Sequence, residues 1–206
     1  MADAAPPGPS DGRWNHNVAY HDVLLSALPD GCRRALDVGC GDGVLTRALA
    51  ARAEHVVGID VDPALAERAR AETAEMDNVE IVTGDVVGAE LEPGSFDAVL
   101  AVATLHHLDL ERGLGRLADL VAPGGVLGIV GLARSRSLWD VAHDGVGAVA
   151  SRVQRRRHGW WEHSAVIVDP TRSYTDVLKA ATLLLPGCRY RRHVLFRYSL
   201  VWTRPT

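Results

Sequence analysis

The fold of this chain is decided by the stretch Leu36-Asp37-Val38-Gly39-Cys40-Gly41-Asp42-Gly43-Val44-Leu45-Thr46. It begins as a short apolar run, passes through three glycines in five residues, and resumes with the apolar spacing of a helix. Residues 35–38 are typical of a buried parallel strand, and residues 44–52 of the helix that follows it. Glycine in the turn between them adopts backbone conformations closed to other residues and lets a ligand approach the main chain. The stretch therefore predicts a nucleotide-binding corner of a doubly wound α/β sheet.

Length and composition limit the class of protein. The chain has 206 residues, a net charge of −4 and no apolar run long enough to span a bilayer, so we expect no membrane segment. Acidic and basic residues are interleaved, which does not favour a nucleic-acid partner. The three cysteines are odd in number and widely spaced, which fits a cytoplasmic location and gives no metal-ligand spacing. Residues 1–12 lack the regions of a signal peptide and are predicted to form a disordered tail before one domain over residues 13–206.

Two further predicted strands each lead to an acidic residue. Residues 55–59 precede Asp60, and residues 79–83 precede Gly84 and Asp85. Asp60 follows the glycine turn by about 20 residues, where a carboxylate can accept both hydroxyls of an adenosine ribose. Asp85 can accept from an exocyclic amine such as that of adenine, or it can simply cap the turn that follows.

The segments at either side of this region allow two interpretations each. Residues 13–30 predict a covering helix, and Trp14 and Tyr20 in it either close over a ligand pocket or pack in the core. Residues 133–170 form an insertion with Trp139, Trp160, Trp161 and His163 beside a run of arginines at 155–157. This combination fits either an acidic, planar or nucleic-acid ligand, or the solvated basic end of a helix.

The motifs together resemble those of the class I S-adenosylmethionine-dependent methyltransferases that act on metabolites. The resemblance rests on the glycine turn, on Asp60 after Val-Val-Gly-Ile, on Gly84-Asp85, on the Phe96-Asp97 strand leading to His106-His107, and on Pro123-Gly124-Gly125. It is specific over residues 32–132 and looser toward both ends. It implies a Rossmann-like, doubly wound seven-stranded sheet in the strand order 3-2-1-4-5-7-6, with the last strand antiparallel. It also implies S-adenosylmethionine as cofactor and a small-molecule methyl acceptor, which the insertion at 133–170 would help to bind.

The same resemblance assigns roles to individual residues. Gly39, Cys40 and Gly41 would lie against the amino-acid and ribose parts of the cofactor, with Asp37 orienting their turn. Asp60 would hold the ribose, Val61 would face adenine, and Asp85 with Val86 would receive the adenine edge. Ala101 would lie near the methionine part, and Trp14 and Tyr20 would close over the cofactor. His106 and His107 are candidates for a general base acting above a pKa of about 6.5, or for packing and capping residues.

Two other functions remain open at this point. A short NAD-dependent oxidoreductase is disfavoured, because its fingerprint continues Gly-x-Gly-x-x-Gly whereas Gly43 is followed here by Val44. A protein of the same fold that only binds the cofactor, or uses it for a reaction such as cyclisation, would have the same cofactor motifs. Neither the acceptor, the atom methylated nor the oligomeric state follows from the residues.

Overall fold

The computed structural model describes residues 12–162 and 168–206, which form a sheet of seven strands. In chain order the strands are β1 Arg34–Val38, β2 His55–Asp60, β3 Val79–Thr83, β4 Phe96–Val102, β5 Val121–Gly131, β6 Arg189–His193 and β7 Arg197–Thr203. Their order in the sheet is β3-β2-β1-β4-β5-β7-β6. The first five strands are parallel, and β7 runs antiparallel to both β5 and β6. The predicted fold class, strand order and antiparallel last strand are confirmed.

The helices begin largely where the sequence places caps. They are a 3-10 turn Val18–Tyr20, α1 His21–Leu25, α2 Val44–Ala50, α3 Pro63–Glu72, a second 3-10 turn Leu105–His107, α4 Leu110–Leu120, α5 Leu138–His158 and α6 Tyr174–Leu184. Asp62 caps α3 by accepting from the Ala64 amide at 2.8 Å, and Pro63 occupies the first helical position, two local features that favour the start of a helix here. The predicted N-terminal helix is shorter than expected, because its first turn is 3-10 and α1 ends at Leu25.

Helices cover both faces of the sheet. Leu36 of β1 belongs to a buried cluster with α4 and α6, whereas its neighbour Ala35 belongs to a second cluster with α1 and α2. Since successive strand residues point to opposite faces, the two clusters lie on opposite sides of the sheet. This two-sided burial leaves the ends of the strands as the place where a ligand can reach the backbone.

Strand β5 begins ahead of Pro123, Gly124 and Gly125, residue types that usually mark a turn. Val121 pairs with Phe96 of β4, and after a shift in register Val126 pairs with Ala98. Residues 123–125 therefore form an irregularity inside the strand rather than its boundary. Residues 1–11 of the predicted tail and residues 163–167 of the predicted insertion, His163 among them, lie outside the described residues. Within the described ranges, the structure has no helix that combines the length and the apolar character needed to cross a membrane.

Candidate active site

A cavity of about 670 Å³ opens at the carboxyl ends of the parallel strands. The residues that follow β1, β2, β3 and β4 all contribute to its wall. In open α/β sheets, ligands bind outside the carboxyl ends of the strands, where the strand order reverses. Here that reversal falls between β1 and β4, so the cavity is the candidate active site.

The glycine turn after β1 is held tightly from two sides. The amides of Gly39 and Cys40 donate to the Ile59 carbonyl of β2 at 2.8 and 3.1 Å. Gly39 has a φ of +69°, and a Cβ atom there would collide with the side chain of Thr104. The Thr104 hydroxyl itself donates to the Val38 carbonyl at 2.9 Å. Only glycine fits this position, because both the backbone conformation and the approach of Thr104 exclude a side chain.

Asp60 links the glycine turn to the next loop. It is 7% exposed, its Oδ2 accepts from the Gly41 amide at 2.9 Å, and its Oδ1 accepts from the Asp62 amide at 2.9 Å. A carboxylate has about four acceptor positions, so each oxygen keeps capacity for a further donor. Asp60 therefore shapes the turn and can still accept hydroxyl groups from the cavity.

Asp37 lies beneath the turn and is only 1% exposed. Its Oδ2 accepts from the Thr46 hydroxyl of α2 at 2.6 Å. Burial raises the pKa of Asp37 to about 7, the Thr46 hydrogen bond opposes that rise, and the neighbouring charge of Asp60 adds to it. The pKa of this carboxyl group thus lies near neutral pH, where a cationic ligand would favour its ionised form.

Replacing Asp37 with asparagine should change how folding stability depends on pH. In the unfolded chain an aspartate ionises near pH 4, whereas folded Asp37 stays protonated up to about pH 7. Between these values the unfolded state binds fewer protons, so the free energy of unfolding falls as the pH rises, on the order of a few kcal/mol in all. An asparagine at position 37 keeps an oxygen that accepts from the Thr46 hydroxyl. Because its amide does not ionise, it avoids this loss of stability at higher pH.

Urea unfolding at pH 5 and pH 8 checks the expectation. The stability of Asp37→Asn relative to the natural protein should increase between the two values, and exposed Asp77→Asn should show no such increase. An equal stability difference for Asp37→Asn at both pH values would contradict the raised pKa.

The predicted adenine-binding residues also meet at the cavity. Val61 is 69% exposed, whereas Val86 is 4% exposed, and both are wall residues. Asp85 lines the same region, and its Oδ1 accepts from the Val87 amide at 3.0 Å. The turn-capping interpretation of Asp85 is thus realised, and its second oxygen keeps the capacity to accept from a ligand.

His106 and His107 lie side by side after β4, with ring centroids 4.1 Å apart, and both line the cavity. Burial, followed by the nearby His107 and Arg197, lowers the pKa of His106 to about 4, whereas a backbone hydrogen bond with Val168 acts in the opposite direction. His106 is therefore neutral at physiological pH, and the sequence-based expectation of a pKa near 6.5 does not apply to it. Its buried Nδ1 has no hydrogen-bond partner among the described residues. Just before this pair, Ala103 has a φ of +53°, a strained conformation in the cavity wall.

Three predicted cofactor residues do not reach the cavity wall described here. Trp14 is 1% exposed and stacks on His158, with ring centroids 5.7 Å apart. The Tyr20 hydroxyl accepts from the Leu195 amide, and the side chain of Ala101 is fully buried in the core. For Trp14 and Tyr20 the core interpretation of the N-terminal segment therefore holds.

Neighbours of these residues do line the cavity, and most were not singled out from the sequence as site residues. From the N-terminal segment and the insertion they are Asn15, His16, Asn17, Val18, His21, Trp160, Trp161 and Val168, and from the loops after β4 and β5 and the start of β7 they include Thr104, Leu132 and Arg197. Arg197 opens a strand that is otherwise buried and largely apolar, and this charged residue in a buried strand was the available sequence signal.

Comparison with known proteins identifies the class. Residues 35–125 match the family model of a methyltransferase domain. An uncharacterized methyltransferase of Mycobacterium tuberculosis is 36% identical over 200 residues, which cover 95% of this chain and 99% of that protein. Among solved structures, a SAM-dependent methyltransferase from Aquifex aeolicus matches with a TM-score of 0.61 and 16% identity, over 89% of this chain and 88% of that one. The [4+2]-cyclase SpnF matches with a TM-score of 0.67 and 16% identity, over 97% and 86%.

The fold and the cavity define a Rossmann-like protein with an open cavity across the carboxyl ends of β1 to β4. The mycobacterial relative is named a methyltransferase and aligns over nearly the whole length of both chains, so the match assigns the family to the whole chain. The chain belongs to the class I S-adenosylmethionine-dependent methyltransferases.

Proposed function

We propose that this enzyme binds S-adenosylmethionine in the cavity and transfers its methyl group to a small-molecule acceptor held beside it. The observation that carries the proposal is the acidic, glycine-lined half of the cavity, where Asp37 and Asp60 lie under and beside a turn that admits no side chain at Gly39. S-adenosylmethionine is a cation with a ribose and an adenine, and each of these parts has a fitting partner there.

Each part of the cofactor has residues of suitable chemistry. The free lone pairs of Asp60 would accept the ribose hydroxyls, and the exposed Val61 would cover one face of adenine. Asp85 and Val86 would receive the adenine edge. The turn from Gly39 through Cys40 to Gly41 would lie against the ribose and amino-acid parts. The buried Trp14, Tyr20 and Ala101 would act only by supporting the residues that line the wall.

The sulfonium cofactor, when bound, supplies a methyl group already activated for in-line displacement. This chain mainly has to hold the acceptor in line and exclude water, and positioning alone can lower a barrier by several kcal/mol or more. A base is needed only for an acceptor that must lose a proton. His106 and His107 would be the candidates for that base; His106 is neutral and able to accept a proton, but its lowered pKa makes it a weak base.

Replacing each histidine with glutamine separates the two roles. We expect His106→Gln and His107→Gln each to lower turnover by less than about tenfold, because positioning then provides most of the rate. Turnover of an accepted substrate and affinity for S-adenosylhomocysteine should be measured for both, with His55→Gln, a half-buried site outside the cavity wall, as control. A loss of roughly 10²–10⁴ in turnover at unchanged affinity would instead assign that histidine as the base. If the base is His106, activity should stay level between pH 6 and 8, because its pKa of about 4 keeps it neutral there.

The function itself is tested by two measurements. S-adenosylhomocysteine should raise the melting temperature while NAD leaves it unchanged, because a ligand stabilises only the fold that binds it. Incubation of the enzyme with S-adenosylmethionine and a panel of small hydroxyl, amine and carbon acceptors should then release S-adenosylhomocysteine together with a methylated product. The structural neighbour SpnF is a cyclase. A reaction that converts the acceptor without consuming S-adenosylmethionine would show that this chain also uses the fold for different chemistry.

A further inference from the structure

The charged residues of the cavity wall are divided between two groups of structural elements. Among the described residues its acidic members come from residues 37–85, at the carboxyl ends of β1 and β2 and on the loops after β1, β2 and β3, namely Asp37, Asp42, Asp60, Asp62 and Asp85. The other wall residues that can carry charge are histidines and one arginine, namely His16, His21, His106, His107 and Arg197. The first group suits the sulfonium and ammonium charges of the cofactor, and the second group is the part of the wall that suits an anionic group.

Arg197 is held in this second part of the wall by the fold itself. Because β7 is antiparallel to β5, its first residue lies at the edge where the parallel strands end. The Arg197 side chain is largely buried, its Nε donates to Asn17 Oδ1 at 2.8 Å, and its Nη1 donates to the Phe196 carbonyl at 3.2 Å. Phe196 has a φ of +57°, and the preceding Leu195 amide donates to the Tyr20 hydroxyl. The guanidinium is therefore positioned before any ligand binds.

The guanidinium of Arg197 has no anionic partner in the part of the chain that the structure describes. Within residues 12–162 and 168–206, the guanidinium donates hydrogen bonds to the neutral side-chain amide of Asn17 and to the backbone carbonyl of Phe196. Burial lowers the pKa of Arg197 to about 10, which still leaves it charged at neutral pH. Buried charges in proteins are normally paired, because taking an ion out of water is costly unless an opposite charge compensates for it. The nearby His106 and His16 add no negative charge.

We propose that the methyl acceptor carries a carboxylate group, which Arg197 binds through the guanidinium N–H groups that Asn17 and Phe196 leave free. The planar fork of an arginine matches a carboxylate with two parallel hydrogen bonds. Asn15, which is 2% exposed and lines the same cavity, has an Nδ2 without an acceptor among the described residues and offers a further donor. A carboxylate fits better than a phosphate, because Arg197 is the one arginine or lysine among the wall residues that the structure describes.

The apolar residues of the cavity wall indicate the chemistry of the rest of the acceptor. Val18, Leu132 and Trp160 contribute apolar surface to the cavity. The acceptor is therefore an acid with an apolar or planar body rather than a small hydrophilic one. This inference rests on the proposed function, since it assigns this part of the cavity to the acceptor.

Binding of model acids tests the proposal without knowledge of the natural acceptor. In low-chloride buffer with saturating S-adenosylhomocysteine, acetate, benzoate and 3-phenylpropionate are titrated by calorimetry, with benzamide and 3-phenylpropionamide as matched neutral compounds. At least one acid should bind roughly tenfold or more tightly than its amide, because a charge-assisted hydrogen bond is gained. Lack of binding by every acid at millimolar concentration, or equal affinity for acid and amide, would overturn the proposal. Tighter binding of phenyl phosphate than of benzoate would overturn the choice of carboxylate.

Two variants tie that preference to Arg197. Arg197→Met removes the charge, and Asn17→Asp keeps the arginine but places a nearly isosteric carboxylate beside its Nε. Both should abolish the preference for acid over amide, whereas Arg156→Met, an exposed site on α5, should leave it unchanged. A preference that survives in Asn17→Asp and in a folded Arg197→Met would overturn the role of Arg197. In all variants S-adenosylhomocysteine should still bind, and failure of the natural protein to bind it would contradict the proposed function instead.

Discussion

Gly39→Ala is expected to lower the free energy of unfolding by roughly 2–5 kcal/mol, and to abolish tight binding of S-adenosylhomocysteine. Two costs combine at this position. The φ of +69° is unfavourable for alanine, and the new Cβ would collide with the Thr104 side chain, whose hydroxyl bonds the Val38 carbonyl. Relief of the collision would displace either the turn or the contact between β1 and the loop after β4. Urea unfolding and calorimetry measure the two effects.

Gly41→Ala is the matched control for this prediction. Gly41 also has a positive φ, of +54°, but its Cβ would meet nothing within 4 Å. It should therefore cost only about 1–2 kcal/mol of stability, from the backbone alone. Thr104→Ala should partly rescue Gly39→Ala, since it removes the colliding hydroxyl and methyl groups, and the double-mutant cycle should show that coupling. Equal destabilisation by Gly39→Ala and Gly41→Ala would contradict the prediction, because it would show that relieving the collision with Thr104 costs no free energy of unfolding.

Asp60→Ala should weaken the binding of S-adenosylhomocysteine by roughly tenfold or more, because a hydrogen bond to a charged group is worth about 1.5–3 kcal/mol. The structure adds a second effect. Loss of the carboxylate removes the acceptor of the Gly41 and Asp62 amides, so stability should fall together with affinity. Asp60→Asn keeps one oxygen and should have an intermediate effect on both.

A carboxylate at the opposite end of the strands distinguishes these effects from general destabilisation. Asp97 of β4 accepts from the Arg33 and Arg34 amides at 2.8 and 3.0 Å, and Asp97→Ala should cost about 1.5–3 kcal/mol of stability. Its affinity for S-adenosylhomocysteine should not change. If Asp60→Ala also left that affinity unchanged in calorimetry, the ribose hydroxyls would be held by other residues.

The parallel half of the sheet was predictable because its signals are local. An apolar run followed by a turn or a cap marks β1, β2 and α3 within a few residues, as the Asp62 cap shows. The order of the strands followed from the family resemblance and was confirmed. The start of β5 was less predictable, because pairing of Val121 with Phe96 across the irregular residues 123–125 depends on the neighbouring strand.

The N-terminal segment shows a limit of prediction from residue spacing. Trp14 and Tyr20 lie in the same short segment as Asn15 and His16, yet the first two are buried in the core and the other two line the cavity. Their spacing is compatible with either place. Contacts with α5 and with the β6–β7 hairpin, both more than 100 residues away, decide which side chain faces inward.

The amino-acid sequence was sufficient to predict the glycine turn at the end of β1 and the family, because Gly39, Asp60 and their turn act through backbone conformation and short-range hydrogen bonds. The character of the opposite cavity wall became clear only from the packing of segments that are distant in the chain. Arg197 comes more than 150 residues after the glycine turn, and its local signal is no more than a charge at the start of a largely apolar strand. It reaches the cavity because β7 inserts antiparallel beside β5, and its charge stays without an acidic partner in the described part of the chain because the fold places Asn17 beside it.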